Sequence, residues 1–189
     1  MTLLQGAAWA AVVAGAALVV QALTWCLRRR ISGPQGDHAI IKLARAGNLD
    51  RIHKLVAAAP ETHLAAYAAA VRAGETATAH DMVTVAALTH PAFEQRAQLL
   101  VAAWHRVTAR GAAGAVLGGA GFYVAYTAAY NPISLRALGG LSALAGVWFL
   151  VHMADLTRAI SRGREEVLPE LDRAFTKGTG AAAEVESDA

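Results

Sequence analysis

Apolar residues dominate three stretches of this chain, Leu3 to Leu27, Gly111 to Tyr130 and, less cleanly, Leu138 to Ile160. A helix of about 20 residues crosses roughly 30 Å of hydrocarbon, so each stretch predicts a membrane-spanning helix. Basic residues flank them in order. Arg28, Arg29 and Arg30 follow the first, Arg106 and Arg110 precede the second, and Arg158, Arg162 and Arg164 close the third. The short turn at 131 to 137 holds only Arg136. The positive-inside rule then predicts an outside N-terminus, an inside block from 28 to 110, an outside turn and an inside C-terminus. Arginines after the first stretch, and the missing basic leader, argue for a retained anchor rather than a cleaved signal.

Between the first two stretches the pattern changes to helical spacing in a polar background. Residues 31 to 37 are rich in breakers and predict a linker. Asp37 is positioned to cap a helix over 38 to 46, Gly47-Asn48 to turn the chain, and Asp50 to begin a helix through Ala59. Thr62 can cap a third helix to about Ala73, closed by Gly74. A further helix is expected from Thr76 to Thr89, and Pro91 suits the first turn of the next. Ile40, Ile41, Leu43 and Ala44, then Ile52, Leu55 and Val56, recur as helix faces. No segment alternates like a strand. The fold class is therefore all-α, with a first span over 1–30, a helical region over 31–110, a hairpin of spans over 111–160, an amphipathic helix over 161–175 whose apolar stripe of Val167, Leu168, Leu171 and Phe175 is interrupted by Pro169, and a disordered tail over 176–189.

Composition narrows the class. Only 16% of residues are charged and 56% are hydrophobic, below the charged quarter usual for soluble domains. The net charge is +3, and its basic residues gather at span ends rather than on a nucleic-acid-binding face. The abundance of alanine suits a bacterial, GC-rich source. Cys26 is the single cysteine, which excludes an intrachain disulfide and reads as a small apolar filler. Seven histidines show no metal-ligand spacing, no serine sits in a nucleophile elbow, and no phosphate-binding loop is present. The expectation is no metal, no cofactor and no enzyme.

Chemistry is sought inside the spans. Gly111, Gly114, Gly118 and Gly121 are spaced three, four and three apart, continued by Ala125 and Ala128, and predict a bare face for close helix packing. Gly139, Ala143 and Gly146 form a similar row on the third span. Tyr126 and Tyr130 suit an interfacial belt, whereas Tyr123 and Thr127 lie deeper and are candidates for an ion pathway together with Ser142. His152 and Asp155, three apart near the inner end, read either as an interfacial pair neutralised by Arg158 or as a proton relay.

With these residues in view, the chain resembles the MotA/TolQ/ExbB proton-channel family, and its TolQ and ExbB members most. Gly111-Ala112-Ala113-Gly114-Ala115-Val116-Leu117-Gly118 is similar to that family's second-span pattern G-L-x-G-T-V-x-G. Leu43-Ala44-Arg45-Ala46-Gly47-Asn48-Leu49-Asp50, running on to Ala58-Ala59-Pro60, is similar to its helical hairpin after the first span. The resemblance implies a homo-oligomer, commonly a pentamer, in the bacterial inner membrane. It would surround a single-span TolR/ExbD-like partner and couple ion flow to work on it. Ala115 stands where the family carries a threonine, Ser142-Ala143 replaces its Thr-Ala pair, and no proline follows in the third span. Those departures imply divergent or lost conduction. A non-conducting membrane scaffold that binds a partner through its cytoplasmic helices is the alternative.

Overall fold

The computed structural model describes residues 2–28, 33–60, 62–78, 81–127 and 133–187, with backbone alone for Gly33 and 178–187. Arg29, Arg30, His80, Ala128, Tyr130 and the first residues of the expected linker and outer turn lie outside them. Among the described residues 92% are helical and none lies in a strand. Its helices are α1 (Leu3–Arg28), α2 (Gly33–Arg45), α3 (Leu49–Ala57), α4 (Leu64–Glu75), α5 (Met82–Thr127), α6 (Ile133–Arg162), a π-helical turn (Gly163–Val167) and α7 (Leu168–Ser187). They divide into two compact units, one of 1–28 and 103–154, the other of 29–102 and 155–189.

In the first unit, α1 and the front of α6 are each long and apolar enough to cross a membrane. Only 28% and 22% of their apolar windows are buried, whereas the core helix of a soluble protein is mostly buried. Val13 and Val20 on α1, and Leu141, Leu144, Val147 and Leu150 on α6, point outward. The inward sides are lined with small residues. Ala8, Val12, Ala125 and Leu135 form one buried cluster, with Trp9 and Val124 packed on it. Cys26 is fully buried.

The second unit packs α2, α3, α4, the start of α5 and α7 around Ile40, Ile52, Leu64, Val71, Phe93 and Leu171, all buried. Its caps explain several boundaries. Gly47 has φ +66, the left-handed conformation that turns α2 into α3. The Asn48 side chain accepts from Arg51 N at 3.2 Å, and Thr62 Oγ1 accepts from Leu64 N at 3.3 Å. The Asp81 carboxylate accepts from Val83 N and Thr84 N at 3.1 and 2.9 Å, and so starts α5.

Five expectations change. α2 begins at Gly33, so 33–37 is helix rather than linker, and Asp37 lies inside it instead of capping it. Pro34 fits a first helical turn, where its missing N–H loses nothing. Thr76 ends α4, and α5 starts at Met82 and runs through Pro91 without a break. α6 begins at Ile133, which converts most of the expected outer turn to helix. Residues 176 to 187, expected as a disordered tail, continue α7 to Ser187. Pro169 does not break the apolar stripe; it occupies the first turn of α7, after the π turn.

Candidate functional site

The glycine row of α5 is a two-sided seam. A Cβ on Gly114 would lie 2.7 Å from Gly15 O and 2.8 Å from Leu18 Cβ, and one on Gly121 would lie 2.7 Å from Val12 Cγ2. Those two glycines admit α1. A Cβ on Gly118 would lie 2.5 Å from Ser142 Cβ, and one on Gly111 would strike the Phe149 ring. Those two admit α6. From the other side, a Cβ on Gly139 would lie 2.7 Å from Phe122 Cβ, and one on Gly146 would lie 3.1 Å from Ala115 Cβ. Ala143 is exposed, and a Cβ on Gly119 would lie 3.9 Å from its Cβ, ordinary contact. Gly15, not singled out from the sequence, completes the seam on α1. Its hypothetical Cβ would lie 2.6 Å from both Gly114 O and Gly118 N.

The hydroxyls of Ser142 and Thr127 are satisfied by carbonyls of their own helices. Ser142 is buried, and its hydroxyl donates to Leu138 O at 2.8 Å on its own helix. Thr127 donates to Tyr123 O and Val124 O at 3.1 and 3.2 Å, again its own helix. Tyr123 is exposed, as is Tyr126, whose ring lies 5.6 Å from the Arg136 guanidinium carbon. His152 is buried, with its ring stacked 3.8 Å from Trp148 and 6.2 Å from Trp104, which also meets Trp25 edge-on at 5.1 Å. In the second unit, Asp155 pairs with Arg158 at 3.3 Å, both well exposed. Arg158 is the cation the spacing offers it.

A polar cluster that sequence reading missed sits in the second unit. Asp37, 2% exposed, accepts from Tyr67 Oη at 2.7 Å and from Arg162 Nε at 3.4 Å. His63 Nε2 lies 3.3 Å from Asp37 Oδ1, in ion-pair range but off hydrogen-bond direction. Burial pushes the Asp37 carboxyl up, but His63, the Tyr67 hydroxyl and Arg162 outweigh it and hold the carboxyl below its ordinary range. Burial, with the Asp37 charge beside it, pushes the Tyr67 phenol up. Tyr67 also stacks on Phe93, with ring centroids 5.5 Å apart. A second buried carboxylate repeats the theme: Asp172 accepts from Thr89 Oγ1 at 2.7 Å and lies 2.9 Å from His90 Nε2. Arg164 grips Glu94 with two nitrogens, at 2.6 and 2.9 Å, and thereby lowers the Glu94 carboxyl.

A Cβ on Gly163 would lie 2.5 Å from Tyr67 Oη. Gly163→Ala is expected to lower stability by about 1–3 kcal/mol, because Tyr67 is pinned by Asp37 and Phe93 and cannot withdraw. Thermal melts of Gly163→Ala with and without Tyr67→Phe check this. Equal losses in both backgrounds would mean the hydroxyl is not the obstacle.

Among the described residues, no cluster of His, Cys, Asp and Glu is arranged to hold a metal ion. No family model, curated protein or solved structure matches the chain.

Proposed function

We propose that the chain is a three-span subunit of a bacterial inner-membrane complex, similar in layout to the TolQ and ExbB proteins, that acts on a single-span partner. The observation that carries this reading is the glycine seam. It brings α1 and α6 against α5 at backbone distance while their other faces present apolar side chains. Such packing is a main source of helix association in lipid, where burial of apolar surface between spans drives little. The second span would be residues 111–130. Its glycines and tyrosines make it less apolar than its neighbours, as suits a span enclosed by protein. Orientation follows the arginines, with the second unit inside. The subunit would form a homo-oligomer around its partner and use ion flow to move it.

Membrane pull-down with crosslinking is the test. It is expected to return an oligomer with a small single-span protein that carries an intramembrane aspartate. A strictly monomeric protein without such a partner would overturn the reading.

The satisfied hydroxyls favour a second reading. Ser142 and Thr127 bond their own helices, and Ala115 offers no hydroxyl, so the subunit would be a scaffold without conduction. Ser142→Ala and Thr127→Ala separate the two. If the subunit conducts through them, proton flux into proteoliposomes falls by about tenfold or more, the size expected when a proton-transfer group is lost. If it is a scaffold, partner binding persists and only disruption of the 38–110 block abolishes it.

A further inference from the structure

The π turn at Gly163–Val167 is the one irregularity in a helix that otherwise runs from Ile133 to Ser187 among the described residues. Leu168 N bonds Gly163 O, five residues back, so the turn holds one residue more than an α-helix would. Pro169 explains why it persists. In an α register its ring would meet the carbonyl of Glu165, four residues earlier, and no N–H would bond that carbonyl.

Both ends of the turn are tied down. On the near side, Arg162 and Gly163 are held by Asp37 and Tyr67. Within it, Arg164 holds Glu94. On the far side, Glu170 pairs with Arg45 at 3.0 Å, and Asp172 is gripped by Thr89 and His90. These ties are mutually consistent only with the extra residue in place. One residue of α-helix is about 100° of rotation. If the turn relaxed to α while Arg162 stayed fixed, Leu171 would move to the place of Asp172, and the buried carboxylate would leave Thr89.

We propose that the π turn is a stored one-residue register shift, a conformational device by which release of the Asp37 clamp or of Pro169 turns α7 about its own axis and exchanges Leu171 for Asp172 against α5. Buried side chains with two discrete arrangements are what allow such a shift to be all-or-none. The inference concerns the second unit alone and stands whether or not the proposed partner exists.

Engineered cysteines read the register in the full-length protein in membranes, with Cys26→Ser as background. Thr89→Cys with Asp172→Cys reports the π register, and Thr89→Cys with Leu171→Cys the α register. The 89–172 pair is expected to crosslink in the otherwise unaltered chain. Adding Pro169→Ala is expected to move most crosslinking to the 89–171 pair. Persistence at 89–172 would overturn the device.

A deletion provides a second measurement that does not touch the clamps. In the Pro169→Ala background, removing the exposed Glu165 takes out the extra residue without rotating α7 and leaves no proline ring against the carbonyl four residues earlier, so the parent's melting temperature and the 89–172 crosslink are expected. Removing Arg158, equally exposed but in regular helix, is expected to abolish both. Equal damage from the two deletions would show that no extra residue is stored in the turn.

Discussion

Gly15→Val is expected to separate α1 from α5 and lower stability by about 3 kcal/mol, at the upper end for overpacking a well-packed contact. The reason lies in what the new side chain would meet. Its Cβ would fall 2.6 Å from the carbonyl oxygen of Gly114 and 2.6 Å from the nitrogen of Gly118. Both are backbone atoms of a continuous helix and neither can rotate aside, so α1 must move off the seam. Gly140→Val is the control, since a Cβ there meets nothing within 4 Å. Thermal unfolding in detergent, read by the Trp25–Trp104 environment and by circular dichroism, distinguishes them. The Gly15 variant should melt many degrees lower, and the Gly140 variant should match the parent within a degree or two. If Gly15→Val melted like Gly140→Val, the seam would not hold α1.

The seam also shows how far residue spacing reaches. Gly111, Gly114, Gly118 and Gly121 announce close packing by spacing alone, because a 3.6-residue period gathers them on one side of a helix. Spacing does not say that Gly114 and Gly121 serve one neighbour while Gly118 and Gly111 serve another. That division depends on where α1 and α6 cross, and a lone Gly15 among alanines carries no periodic signal.

Buried stripes are legible for the same reason: Ile40 and Ala44, Ile52 and Val56, and Val167, Leu168, Leu171 and Phe175 all turn inward. Proline is the misleading signal. Pro91 and Pro169 read as a start and an interruption, yet α5 passes through the first and a π turn admits the second. Local chemistry marks where a helix is weak, and tertiary ties decide whether it breaks. The hydroxyls mislead differently. Ser142 and Thr127 look available for ion transfer at their depth, but a hydroxyl on a helix can always donate to the carbonyl a turn earlier, and both do so.

Asp37 is the costliest misreading, and it carries the last expected result. As a residue following Gly36 and preceding an apolar run, it reads as a cap. In the fold it accepts from Tyr67 and Arg162 and has His63 Nε2 in ion-pair range. Asp37→Ala is expected to lower stability by about 3 kcal/mol, since it leaves the buried Tyr67 hydroxyl and the half-buried Arg162 without their partner. The acid limb supplies a sharper test. The folded carboxyl sits below its ordinary value of 3.8, so the native state releases its proton more readily than the unfolded chain. Its contribution is therefore complete above that ordinary value and is lost as pH falls through the lower folded value. Melting temperature followed from pH 7 down to pH 2 should drop more steeply at the acid end for the parent than for Asp37→Asn, which is isosteric but cannot titrate. Parallel acid limbs would mean that Asp37 is not the carboxylate whose charge the cluster holds.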